Sequence, residues 1–115
     1  MIGRRKAPPV VEDIDIDEIR RLALDGTMPI AETAWRQQVK VAGRVRAMRV
    51  QPWADGVATL EVTLDDGTGG ITVVFLGRRH IGGITLGAHL VAEGTVGETH
   101  GRLAILNPSY TILPS

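Results

Sequence analysis

The stretch that decides the fold is Val39-Lys40-Val41-Ala42-Gly43-Arg44-Val45-Arg46-Ala47-Met48. Val39, Val41, Gly43, Val45 and Ala47 alternate with Lys40, Ala42, Arg44, Arg46 and Met48, and a period of two belongs to a long, half-buried strand. Gly43 in its middle calls for a bulge or sharp bend, because a strand-interior glycine brings no side chain to pack. Strict alternation would point Arg49 inward, so a second irregularity or the strand end is expected near Met48.

Downstream the same period returns four times. Ala58, Leu60, Val62 and Leu64 share one face of a second strand, with Thr59, Glu61 and Thr63 on the other. Asp65-Asp66-Gly67-Thr68-Gly69-Gly70 turns the chain into a third strand, Ile71 to Leu76. The insert Gly77-Arg78-Arg79-His80-Ile81-Gly82-Gly83 has room for one helical turn at most. A fourth strand is expected from Ala88 to Val96, a turn over Gly97 to Gly101, and a fifth strand from Arg102 to Leu106. Asn107-Pro108 interrupts it before Tyr110 to Leu113 resumes an extended path. Five short strands in so little chain describe a small closed barrel.

Upstream the period is 3.6. Ile16, Ile19, Leu22 and Ala23 fall on one face between Asp15 and Asp25, an aspartate can cap the start and Gly26 can end it. This predicts a short amphipathic helix over 15–25, carried on a tail of residues 1–35 ahead of a barrel of residues 36–115. Thr27 to Trp35 is expected to connect the two.

Composition narrows the function. In 115 residues, 43% are hydrophobic and 23% charged, which is globular usage. No apolar run approaches the roughly 20 residues of a bilayer span, and none follows Arg4-Arg5-Lys6 as a secretory leader would. A cytoplasmic protein without membrane contact is therefore expected. With no cysteine, disulfide frameworks, thiolate zinc sites and cysteine nucleophiles are excluded. His80, His89 and His100 are not spaced as metal ligands, only Ser109 and Ser115 could serve a serine triad, and the adjacent Asp65 and Asp66 point to opposite faces. The glycine-rich Asp66 to Gly70 lacks the lysine of a phosphate loop and reads as a hairpin turn. Neither an enzyme nor a cofactor is expected.

Thirteen basic and thirteen acidic residues cancel, yet residues 36–51 hold five bases and no acid. Lys40, Arg44 and Arg46 share the outward face of the first strand at intervals of roughly 7 to 13 Å, a spacing that can follow the phosphates of an extended strand. Arg49 continues that strip, and Arg78, Arg79 and His80 add a second basic group. Aromatic rings are few. Trp53, restrained by Pro52, could stack on a base or plug the barrel. Phe75 is expected in the core, and Trp35 and Tyr110 in the core or at a barrel end.

The ordered series Val41-Ala42-Gly43-Arg44-Val45, Leu64 to Phe75, Gly87 to Gly94, Gly101-Arg102-Leu103 and Asn107-Pro108-Ser109-Tyr110 resembles OB-fold domains of the tRNA-anticodon-binding type, including the wedge domain of the RecG helicase. It is also similar to stand-alone bacterial OB-fold nucleic-acid-binding proteins. The likeness covers residues 37–113, with the usual helix after the third strand shrunken and no helicase motor or synthetase domain attached. It implies an all-β, five-stranded Greek-key barrel preceded by the short helix, with the first interstrand loop and the insert bordering a ligand groove. On that reading Lys40, Arg44, Arg46, Arg49, Arg78, Arg79 and His80 meet single-stranded DNA or RNA with little sequence preference, and Trp53 stacks. The alternative is a protein-interaction or oligomerisation module using the acidic helix together with Val74 and Leu76 on the outer barrel face. The acids from Glu12 to Glu18 either cap and solvate that helix or compete with phosphates for the arginines.

Overall fold

The computed structural model describes residues 15–52 and 56–114. Helix α1 spans Ile16–Leu24, and a single 3-10 turn covers Ile30–Glu32. Six strands follow: β1 Gln38–Pro52, β2 Ala58–Asp65, β3 Gly70–Leu76, β4 His89–Thr99, β5 Arg102–Leu106 and β6 Ser109–Ile112. They hydrogen-bond in the order β1-β2-β3-β5-β4-β6, and β1 also pairs with β4, which closes the ring. Only β3 and β5 run parallel. The closed OB barrel and the helix ahead of it are as the sequence implies.

The long β1 serves both sides of the closure. Gln38 to Arg44 pair with β4 and Arg44 to Pro52 pair with β2, so Arg44 stands opposite both His89 and Asp65. Gly43 sits at this corner, where a Cβ would lie 3.1 Å from both Leu64 Cβ and the Asp65 amide nitrogen. The absent side chain lets two strands approach closely, which is the bend expected there. The second irregularity comes earlier than expected. Register shifts between Val45 and Ala47, leaving Arg46 as the extra residue of a bulge. The bulge inverts the alternation: Val39, Val41 and Val45 point inward before it, and Met48 packs against the core after it, while Arg49 stays outside.

The core gathers Val41, Val45, Leu60, Val62, Leu64, Val73, Leu90 and Ile105, all nearly inaccessible to solvent. Ile81 and Ile84, from the β3–β4 connection, are buried with them. That connection holds turns rather than a helix, and its two isoleucines reach the core from there. The β4 strand runs three residues further than expected, because the turn into β5 needs only His100 and Gly101. Both have left-handed backbones, with φ of 51° and 77°, as a two-residue turn of the mirror-image type requires.

The segment expected as a mere connection is part of the fold. Ile30 is 3% exposed and belongs to the core. The Asp66 carboxylate accepts the Ile30 amide at 2.9 Å, and the Thr68 hydroxyl accepts the Ala31 amide at 3.1 Å. The same carboxylate accepts the amides of Thr68 and Gly69 and the Thr68 hydroxyl, so the glycine-rich turn closes on its own aspartate. Partial burial pushes the Asp66 carboxyl up, but the bonds from Thr68, Ile30 and Gly69 outweigh it and hold its pKa below the ordinary value.

Helix α1 starts on the Asp15 carboxylate, which accepts the Asp17 amide, and ends before Gly26 at φ 82°. None of its residues is buried. It is tied to the barrel by polar bonds: Arg20 donates to the Pro114 carbonyl and Lys40 Nζ to the Asp25 carbonyl.

Candidate functional site

The outer face of β1, β2 and β3 carries an open cleft of about 420 Å³. Register places its side chains in rows. Ala47, Thr63, Thr72 and Ala104 form one row, and Arg49, Glu61, Val74 and Leu106 the next. The β4–β5 turn forms one wall, contributing His100 and Arg102. A second hollow of about 440 Å³ shares Thr63, Thr72 and Arg102 and extends the groove to Ile30, Ala31 and Thr33.

Glu61 lies on the floor, only 9% exposed. Its carboxylate faces two cations: Arg49 Nη2 lies 3.3 Å from one oxygen and His100 Nε2 3.2 Å from the other. A buried carboxylate requires such partners. Arg102 lines both hollows and makes no ion pair among the described residues. Among the described residues no group of three histidines or acids could hold a metal ion, and no helix is long and apolar enough to cross a membrane.

Of the basic residues expected at a site, Arg49 alone lines the cleft. Lys40 is half-buried and bonded to the Asp25 carbonyl at 2.7 Å, beside α1. Arg44 is exposed and lines a shallower hollow with Arg20, Leu24, His89 and Leu113. Arg46, the bulge residue, is exposed and 3.3 Å from the Asp65 carboxylate. Arg78, Arg79 and His80 are exposed at the start of the β3–β4 connection. That connection leaves the Gln51-Thr59-Leu76 row, at the end of the same sheet face, with the Gly77 amide on the Ala58 carbonyl. Trp53 lies outside the described residues.

Other expectations need correction. Trp35 is not a core residue: it is 59% exposed, with the Arg36 guanidinium 4.3 Å from its ring centroid. Arg36 takes a left-handed backbone, φ 70°, to deliver its amide to Val96, and the preceding ring is left outside. Tyr110 stands edge-on to the buried Phe75, centroids 5.4 Å apart, and keeps one side in solvent. Val74 points outward yet is 2% exposed between its neighbours Glu61 and Leu106, so it adds no apolar surface.

Glu61, His100 and Arg102 were missed as a constellation. Glu61 reads in sequence as one more polar residue on an outward strand face, and His100 as a lone histidine. The available signal was the pair His100-Gly101 between two strand patterns, since a two-residue turn carries its first side chain close to the sheet.

Comparison with known proteins agrees with this geometry. The family model for the tRNA-anticodon type, described as an OB-fold nucleic acid binding domain, matches residues 39–113. The second OB-fold domain of replication protein A from Methanococcus maripaludis superposes with a TM-score of 0.59 at 18% identity, covering 77% of this chain and 96% of that one. The replication factor A related protein from Methanobacterium thermoautotrophicum gives 0.55 at 15% identity, with 76% and 90% covered. RecG bound to a three-way DNA junction gives 0.54 at 16% identity, over 81% of this chain and 14% of RecG. At these identities the structural likenesses speak to the fold. No curated protein matches the chain.

Proposed function

We propose, from the premise that this chain belongs to the tRNA-anticodon-type family of OB-fold nucleic-acid-binding domains, that its groove binds single-stranded DNA or RNA without catalysis. The observation that carries this reading is the convergence of Arg49 and Arg102 on one open cleft across β1, β2 and β3. Arg78, Arg79 and His80 extend the cationic path at one end of that face, and Trp53 supplies a stacking ring from the β1–β2 connection. Lys40, Arg44 and Arg46 form an outer strip for strand leaving the groove. Most of these contacts are to phosphate, so binding is weakly sequence-dependent and strongly salt-dependent.

Fluorescence anisotropy with labelled single-stranded DNA, single-stranded RNA and duplex, each at two salt concentrations, tests the reading. Single strands should bind more tightly than duplex. Arg49→Ala with Arg102→Ala should flatten the plot of log K against log salt by about 1.4, roughly 0.7 for each lost contact. An unchanged slope and affinity would remove the cleft from the interface.

A second reading rests on α1, whose Ile16 and Leu22 are 50% and 60% exposed. This apolar face suits a protein partner or a second copy of the chain. Sedimentation of the wild type and of Leu22→Glu tests it, a dimer lost on substitution being the supporting result.

A further inference from the structure

We infer that the floor of the groove is a guanine-selective subsite, with the Glu61 carboxylate as the reading group. This rests on the single-strand reading above and adds base selection at one position. An ionised carboxylate only accepts hydrogen bonds, through about four lone-pair sites on two oxygens. Arg49 and His100 occupy one direction on each oxygen, at 3.3 and 3.2 Å. Both contacts are long beside the roughly 2.8 Å of a fully formed charge-assisted bond. Each oxygen therefore keeps an acceptor direction, and the accessible edge of Glu61 lines the cleft.

Base chemistry decides which ligand suits it. Guanine alone offers two adjacent donors on its pairing edge, N1–H and the N2 amino group, at a spacing that two carboxylate oxygens match. Cytosine and adenine place a ring acceptor beside their amino group, and thymine or uracil flanks one N–H with carbonyls, so each would set acceptor against acceptor. Guanine's other edge carries O6 and N7, acceptors that arginine recognises, and Arg102 stands on the same wall without an ion pair among the described residues. The cleft, about 420 Å³, has room for one nucleoside. The turn supports the same reading. His100 is held at φ 51°, a backbone region few non-glycine residues adopt, in the position that brings its ring to Glu61.

The test uses the full chain and four labelled octamers: all-thymidine, and the same strand with one central dG, deoxyinosine or dA. The dG strand should bind roughly tenfold more tightly than the all-thymidine strand, the discrimination one bidentate pair supplies. Inosine, lacking the N2 amino group, should lose most of that gain, and dA should gain nothing. Glu61→Gln should bring the dG and thymidine affinities together. Equal wild-type affinities for dG and dA, or inosine binding as well as dG, would overturn the subsite whether or not the variant folds. A uridine series with one central guanosine asks whether the sugar matters, and a preference in either series supports the inference. Free GMP is the last arm. If GMP displaces the dG strand as effectively as an unlabelled octamer does, the guanine subsite stands and the single-strand reading fails. Failure of every octamer and of GMP to bind overturns both.

Discussion

Asp66 shows how much one side chain can organise in a small barrel. It was read as part of a turn, and its neighbour in sequence, Thr68, is indeed bonded to it. The link to Ile30, across 36 positions, has no local signature, since nothing in the spacing reports which amide a free carboxylate oxygen will find. Its energetic sign follows from the depressed pKa. An acid whose folded pKa lies below its unfolded value, about 3.9, stabilises the fold fully above that value. The contribution fades as pH falls through the folded value. Asp66→Asn should therefore lower stability at pH 7 by about 1 kcal/mol, as for loss of a partly exposed capping side chain. Thermal melts of both proteins should converge below pH 4. A difference that persists undiminished into acid would show that the charge is not what matters.

At the scale of elements, β1 was the most legible part of the molecule and also where reading stopped short. Alternation over Val39 to Met48 identifies a strand, and Gly43 marks a bend because a glycine there has only a steric meaning. The position of the bulge was missed by one or two residues, since Arg46 is polar and exposed in either register. Only the pairing with β2, which needs Val45 opposite Leu64 and Met48 opposite Val62, decides it. The groove was illegible for a related reason: it is assembled from β1, β2, β3 and the β4–β5 turn, each contributing one or two unremarkable polar residues. The corner at Gly43 can be tested directly. Gly43→Ala forces a Cβ to 3.1 Å from the Asp65 backbone, an overpacking cost of about 1–3 kcal/mol that exceeds any chain-entropy gain. Gly82→Ala is the control, because a Cβ there meets nothing within 4 Å and the backbone is not left-handed. Denaturant unfolding should separate the two variants clearly. Equal stability would mean that β1 and β2 can part at the corner without loss.

For the whole molecule, the question is what the first third of the chain contributes. Two truncations give different answers on physical grounds. Removing residues 1–26 takes away α1, whose residues are not buried, and the exposed bond between Lys40 and Asp25. Removing residues 1–35 also takes Ile30 out of the core and leaves Asp66 without its partner amide. Loss of a buried isoleucine costs about 2–5 kcal/mol, a large part of the margin of a domain this size. The shorter truncation should melt close to the intact protein and the longer one should melt far below it or not fold. Nucleic-acid binding then bears on the acidic segment. In the described residues, α1 lies beside Lys40 and Arg44, with Arg20 and Leu24 lining the Arg44 hollow. The cleft of Arg49 and Arg102 opens on another part of the barrel surface. If strand binding is centred on the cleft, residues 27–115 should bind single strands within about twofold of the intact chain at high salt, where charges beyond roughly one Debye length are screened. A marked gain confined to low salt would mean that the acids compete for Arg44, and that the outer strip carries more of the binding than the cleft does.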